Sequence, residues 1–147
     1  MPNADMGPYL KAALICESVI EGKDGVLSLI RVVDRLTIAA SGGQAPADMP
    51  ASDYNLILVL MLVSGRARGT SELTLWVEPP DGQPRQLWTN TVLFEGEDRG
   101  ANVVAQIQYR FEKQGLFWFD IRLDGERLTR IPYRVIYQRI VPGTPLQ

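Results

Sequence analysis

The sequence contains no histidine and only one cysteine, Cys16. Histidine is the most common general base in enzymes and the most common metal ligand, so its absence removes both roles at once. Zinc sites built from His and Cys are excluded, and so is every catalytic arrangement that pairs a Ser or Cys nucleophile with His. We therefore expect a protein that is not an enzyme and that has no metal site and no cofactor.

A strong excess of charge and a long hydrophobic run are also missing. The formal net charge is −2, which gives no electrostatic reason to expect nucleic acid or a membrane as partner. The longest apolar run, 56–63, is far shorter than the roughly 20 residues that cross a bilayer as a helix. The N-terminus carries Asp5 and lacks the features of a signal peptide. Because one cysteine forms no intramolecular disulfide, we expect a cytoplasmic protein.

The composition is that of one globular domain covering residues 1–147. Hydrophobic residues make up 46% of the chain and charged residues 22%, which is enough apolar surface for a single core. We place the ordered core at about 9–140, with short flexible termini. The stretch 39–53, "AASGGQAPADMPASD", is small, polar and long for a connection, so we interpret it as a mobile loop or lid.

Apolar residues alternate with polar ones in most of the chain, as in β-strands. The clearest case is 102–113, and 115–137 repeats the pattern on either side of an Asp-Gly turn. Residues 54–63 are apolar on both faces, which predicts a central strand. We read 64–71 and 95–100 as loops between strands. The sequence predicts an all-β fold, an antiparallel β-sandwich of about eight strands with either immunoglobulin-like or jelly-roll topology.

The segment around Cys16 predicts a β-hairpin. Lys23, Asp24 and Gly25 suit a three-residue turn, and counting outward from it sets Glu17 opposite Arg31 and Cys16 opposite Val32. Cys16 would be a nucleophile only if Arg31 or Arg35 lowered the pKa of its thiol. The register turns Cys16 away from Arg31, so we favour a small buried hydrophobic residue instead.

Two segments resemble an uncharacterised family of small bacterial proteins. They are "LICESVIEGKDGVLSLIRVVDRLTI" (14–38), with its Cys-acidic strand pair, and "GLFWFDIRLDGERLTRIPYRV" (115–135), where aromatic residues precede an Asp-Gly turn. The resemblance covers about a third of the chain. It implies a single-domain β-sandwich of unknown function, and it implies no catalytic or binding residues.

Tryptophan and arginine are the candidate binding residues. Strict alternation places all three tryptophans on the face of their strands opposite the aliphatic residues, and three arginines share the face of Trp118. Aromatic residues and arginine are enriched at protein interfaces. We therefore predict a non-enzymatic protein-interaction or structural module, with a protein partner or a homo-oligomer. The predicted interface is Trp76, Trp88, Trp118, Arg122, Arg130 and Arg134.

Three alternatives remain open. Exposed tryptophans also suit a small ligand or a carbohydrate. Arginine between aromatic residues can bind single-stranded nucleic acid, although ion pairing with the neighbouring carboxylates is the simpler explanation here. The acidic segment 95–100 has oxygen ligands of the kind that Ca²⁺ prefers, but it lacks the EF-hand spacing and suits a solvated loop equally well.

Overall fold

A computed structural model describes residues 6–140, and within that range the fold is all-β. No helix long and apolar enough to cross a bilayer occurs between these residues. The strands are β1 (Tyr9–Glu21), β2 (Leu27–Val32), β3 (Arg35–Ser41), β4 (Ser52–Glu78), β5 (Arg85–Phe111), β6 (Gly115–Leu123) and β7 (Glu126–Ile140).

Hydrogen bonds join the seven strands into one mixed sheet. Its order is β2-β1-β4-β6-β7-β3, and β5 pairs with β4 alongside this path. The predicted antiparallel arrangement is therefore wrong at one position, because β3 runs parallel to β7. A parallel pair requires a connection long enough to return the chain to the same end of the sheet, and β4, β5 and β6 lie between these two strands in sequence. The predicted sandwich, as distinct from this single sheet, stays a prediction.

Two strands, β4 and β5, are 27 residues long and pair along nearly their whole length. The loops predicted at 64–71 and 95–100 are wrong, because the β4–β5 ladder continues through both segments. The ladder shifts register around Gly65, and both Gly65 and Gly96 have positive φ. Glycine adopts such a conformation without steric cost, so these residues bend the paired strands instead of ending them. The two missing breaks merge four of the roughly eight predicted strands into two, and a break at 33–34 divides β2 from β3, so seven strands form.

Ser64 connects the two long strands at the bend. Its side chain is fully buried, and its hydroxyl donates to the carbonyl of Arg99 at 2.8 Å and accepts from the amide of Glu95 at 3.2 Å. The bend opens backbone groups that a regular ladder would pair, and the hydroxyl satisfies two of them.

The core combines side chains from strands that do not pair with one another. The ring of Phe111 in β5 lies 5.1 Å from that of Phe117 in β6 and 5.9 Å from that of Tyr133 in β7. The alternation predicted for 102–113 and 115–123 is confirmed, since every second residue there lies in the buried cluster. Side chains from both halves of the long strands therefore belong to one buried cluster.

The predicted N-terminal hairpin is confirmed. Gly22 and Val26 close the turn, Gly25 has a φ of 78°, and Cys16 pairs with Val32. The side chains of Glu17 and Arg31 form an ion pair of 2.8 Å across the strands. Both are exposed to solvent, so the pair contributes little to stability and mainly marks the register.

The connection between β3 and β4 is shorter than predicted and is held against β7. Residues 42–51 lie outside the strands, whereas the predicted loop covered 39–53. The hydroxyl of Tyr137 donates to the carbonyl of Pro46 at 2.6 Å, and Met49 is buried in the core. Of the predicted flexible termini, residues 1–5 and 141–147 lie outside the described residues, whereas Met6 is described and its carbonyl accepts a hydrogen bond from the amide of Arg66 at 2.9 Å.

Candidate functional site

The outward side of β4, β6 and β7 brings most of the predicted interface residues together. Cross-strand pairing aligns Trp76 with Asp120, Glu78 with Trp118, and Asp120 with Arg130. The predicted sharing of one face by Trp118 and the three arginines is confirmed by this register. We name the group the Trp–Arg face, and it consists of Trp76, Glu78, Trp118, Asp120, Arg122, Arg127, Arg130 and Arg134.

Each of the two tryptophans on this face is covered by a guanidinium group. The guanidinium carbon of Arg122 lies 4.5 Å from the ring centroid of Trp76, and that of Arg130 lies 4.5 Å from the ring of Trp118. The indole nitrogen of Trp76 donates to the hydroxyl of Thr74 at 3.1 Å. Stacking of this kind contributes about 0.5–2 kcal/mol, depending on how far the pair is removed from water.

Asp120 holds two arginines of the face in position. Its carboxylate is 4% exposed and accepts hydrogen bonds from Arg127 at 2.8 and 3.2 Å and from Arg122 at 3.1 and 3.3 Å. A buried carboxylate is stable only with such partners. The same guanidinium group of Arg122 therefore contacts both Trp76 and Asp120, which fixes its orientation.

The charge of Arg130 is paired with a carboxylate, whereas that of Arg134 is not. Arg130 donates to the carboxylate of Glu78 through Nη2, while its Nε is buried without a hydrogen-bond partner. Arg134 is exposed and forms no ion pair with any acidic residue between residues 6 and 140. The face thus ends in a guanidinium group that is available to a partner.

A shallow groove lies beside Trp118. Its floor is apolar, formed by Pro79, Pro80, Leu116 and the tryptophan, and Arg130 with its paired carboxylate stands at its side. The groove is open to solvent and has a volume of about 460 Å³. It is large enough to receive an apolar side chain next to a charged group.

The structure does not place Trp88 with the other two tryptophans. Trp88 pairs with the buried Leu75 and packs against the core. The register between β4 and β5 shifts between Leu75 and Trp76, so Trp76 pairs with Gln86. Leu87 is the extra residue of this bulge. A bulge changes which residues of a strand share a face, so strict alternation assigned Trp88 to the wrong side.

Three members of the face are not among the predicted interface residues: Glu78, Asp120 and Arg127. Asp120 alternates with the core residues Phe119 and Ile121, which places it on the outer side of β6, but its near-complete burial does not follow from the alternation. The spacing of Asp120 and Arg122 in one strand is a signal for a shared face. Arg127 is harder to predict, because a register shift within the β6–β7 hairpin brings it to Asp120.

The remaining candidate residues occur elsewhere in the fold. Cys16 is buried, and burial raises the pKa of its thiol. Glu95 and Glu97 lie within β5, and Glu95 forms an ion pair with Arg99. Among the described residues, no group of three or more His, Cys, Asp or Glu side chains could hold a metal ion.

A second concavity, of about 370 Å³, lies where the β4–β5 turn approaches the end of β5. Asp81 and Lys113 form an ion pair at its edge, which lowers the pKa of the Asp81 carboxyl, and Arg85 lies over the ring of Tyr109 at 5.8 Å. None of the three tryptophans lines it. Val77, Pro79 and Phe117 give the cleft apolar walls beside these charged side chains.

Comparison with known proteins places the chain in a family. A family of unknown function, DUF6941, matches residues 11–136. The chain belongs to DUF6941. This agrees with the predicted resemblance to an uncharacterised family, and the match extends over the middle of the chain, where the sequence carried no such signal. Comparison with curated proteins finds no match for this DUF6941 chain.

Solved structures resemble the DUF6941 chain only distantly. One is the β-glucosidase from Listeria innocua in complex with glucose, with 8% identity and a TM-score of 0.47, covering 90% of this chain and 17% of that one. Another is the alkylpurine DNA glycosylase AlkC from Pseudomonas fluorescens bound to DNA containing an abasic site analog. It has 12% identity and a TM-score of 0.40, with 84% and 30% coverage. The chain spans less than a third of either structure, and these similarities support no conclusion about function.

Proposed function

We propose that this DUF6941 protein is a non-enzymatic interaction module that binds an acidic segment of another protein through the Trp–Arg face. The observation that carries the proposal is the set of arginines stacked on tryptophan and anchored by the buried Asp120. We also propose a bacterial, cytoplasmic protein, on the grounds of the single buried cysteine and the family resemblance.

The charge of the face supports an acidic partner. Four arginines stand against two carboxylates on the Trp–Arg face, although the whole chain has a net charge of −2. The positive charge is therefore concentrated on one surface of an acidic protein. Complementary charge speeds association and orients the partner, and it makes the binding sensitive to salt.

The rigidity of the face supports binding as its role. Ordering a free arginine side chain at an interface costs about 0.5–1.5 kcal/mol, and Arg122 and Arg130 are already held by stacking and ion pairing. Arginine and tryptophan are the residue types that most often dominate binding energy at protein interfaces. The groove beside Trp118 offers an apolar contact next to this charge, which favours a segment with an apolar residue among acidic ones.

The same contacts weaken the alternative of a sugar or small ligand. Each of Trp76 and Trp118 has a guanidinium over its ring, so the flat surface that a sugar ring would stack on is occupied there. Trp88 packs against the core. We therefore keep carbohydrate binding only as an outcome of the test.

We further propose that the sheet is folded into two layers, as in a β-sandwich. The support is the contact of Phe111 with Phe117 and Tyr133, whose strands are not paired with its own. In such a fold the Trp–Arg face covers the outside of one layer, where a partner has unhindered access.

The test is binding of a fluorescent acidic peptide that contains one central leucine, followed by anisotropy. We expect the wild-type chain to bind and the Arg134→Glu variant to lose at least about tenfold in affinity, with weaker binding at higher salt. The matched control is Arg66→Glu, which makes the same charge change at an exposed residue outside the face.

Two results would contradict the proposal. One is equal loss of affinity in both variants, which would mean that only net charge matters. The other is no peptide binding combined with a tryptophan fluorescence change on adding a panel of simple sugars, which would favour the carbohydrate alternative.

A further inference from the structure

A second surface, on the other half of the sheet, is apolar and almost free of charge. In β4, residues 56, 58, 60 and 62 belong to the core, so the residues between them face outward. The residues of β1 and β5 that pair with these outward residues lie on the same side of the sheet. We name this surface the uncharged face. Its apolar residues are Leu14, Val32, Ile57, Val59, Met61 and Val104.

The apolar residues of this face form a continuous surface across four neighbouring strands. Pairing aligns Val32 with Cys16, Cys16 with Ile57, and Val59 with both Leu14 and Val104. Val32 is 58% exposed and Val104 43%, Leu14, Ile57 and Met61 are half-buried, and Val59 and Cys16 between them are each 1% exposed. Apolar side chains that share one side of a sheet in this way often mark an interaction site.

Charged residues stand at the margins, where Glu17, paired with Arg31, lines a concavity together with Ile57, Gln106 and Gln108. Asp53 and Arg110 form an ion pair at one end of the paired strands, and Lys11 lies in the bulge of β1 at the other. Between them, the outward positions of β5 carry amides, Asn102, Gln106 and Gln108. An apolar centre with a polar border is the usual organisation of a protein interface.

The chemistry of the face favours a second copy of the same chain. A surface without charge offers no complement to an acidic or a basic partner, but it is complementary to itself. Amide side chains both donate and accept hydrogen bonds, so an amide border pairs with its own symmetry mate. We therefore propose that two chains associate through their uncharged faces, packed sheet against sheet around a two-fold axis.

The size of the face is sufficient for this dimer. Strands about 4.8 Å apart and a rise of about 3.3 Å per residue give the four-strand area a footprint of roughly 500 Å². Two copies would bury roughly 1,000 Å², the lower limit for a specific interface. We accordingly expect a dimer that dissociates on dilution. The proposal does not rest on the Trp–Arg face, which lies on β6, β7 and the C-terminal end of β4, away from residues 57–61 of that strand, and stays open in such a dimer.

Sedimentation velocity over a range of protein concentrations tests the dimer. We expect the wild-type full-length chain to shift from monomer to dimer as its concentration rises. Val104→Lys and Val32→Lys each place a charge in the interface, and each should weaken the dimer at least about tenfold. The matched control is Leu93→Lys, because Leu93 is 56% exposed on the same strand as Val104 but lies outside the face.

Three results would overturn the proposed dimer. A wild-type chain that remains monomeric at the highest attainable concentration overturns the proposal. So does a dimer that Val104→Lys and Val32→Lys leave intact, or one that Leu93→Lys weakens equally. Circular dichroism confirms that each variant is folded, and two variants on different strands keep the test valid if one of them fails to fold.

Discussion

Arg130 and Trp118 stack across neighbouring strands, with the guanidinium carbon 4.5 Å from the ring centroid. Neither residue is fully exposed or fully buried. The contact removes the apolar ring from water and at the same time fixes the direction of a charged group. A surface built in this way is stable before a partner arrives and loses little freedom when one binds.

Asp120 should be important for stability as well as for the face. Replacing it with Asn keeps the shape but removes the charge that Arg122 and Arg127 share. We expect the free energy of unfolding to fall by about 2 kcal/mol, because the hydrogen bonds to a buried carboxylate are charge-assisted. Urea unfolding at pH 7 measures the loss. Asp81→Asn is the control, since its ion pair with Lys113 is exposed, and an equal effect there would contradict the role assigned to Asp120.

Ser64 should stabilise the bend of the long strands. Ser64→Ala removes a hydroxyl that pairs with two backbone groups, at Arg99 and Glu95. We expect a loss of about 1–2 kcal/mol, since both groups would be left without that partner. Thermal unfolding compared with the exposed Ser28→Ala variant provides the measurement. If the two variants unfold at the same temperature, the hydroxyl is not needed for the bend.

Tyr133 should make the protein less stable at alkaline pH. Burial, with a smaller contribution from nearby negative charges, raises the pKa of Tyr133 from 10.0 to about 12. Between those values the unfolded chain has lost the phenol proton and the folded chain retains it, so stability falls as pH rises. The stabilisation is complete below pH 10, and its loss amounts to about 2 kcal/mol near pH 12.

Tyr133→Phe keeps the ring contacts with Phe111 and Phe119 but removes the titrating group. Urea unfolding at a series of pH values should therefore show a shallower alkaline decline for the variant than for the wild type. Parallel declines for the two proteins would show that other groups account for the pH dependence.

Cys16 should react slowly with thiol reagents in the folded protein. Its side chain is 1% exposed, and burial raises the pKa of the thiol, so both access and the thiolate fraction are reduced. We expect the reaction with a chromogenic disulfide at pH 8 to be at least about tenfold slower in the native protein than in urea. A native rate equal to or above the rate in urea would instead support the alternative that Cys16 is a nucleophile.

Local features of the sequence were sufficient for the N-terminal hairpin and for the faces of β6. The turn at Gly25 depends on residues next to it, and the pairing of Glu17 with Arg31 follows by counting from that turn. The period of two between 115 and 123 placed Trp118, Asp120 and Arg122 on one side for the same reason.

Sequence patterns did not predict the strand pairings and register shifts that depend on residues far apart in the chain. The glycines near 65 and 96 looked like strand ends, although hydrogen bonds to the partner strand continue through them. The bulge beside Trp88 and the register shift that carries Arg127 to Asp120 depend on how two strands meet. The parallel pairing of β3 with β7 joins segments about a hundred residues apart.

The sequence by itself therefore determined the fold class, the alternation of each strand and the lack of histidine-based chemistry, because these depend on composition and on neighbouring residues. Only the tertiary structure decided which tryptophans stand together and which arginines are neutralised, and that an apolar face lies open. These features depend on strand register and packing between distant segments, where a shift of one residue moves a side chain from one face to the other.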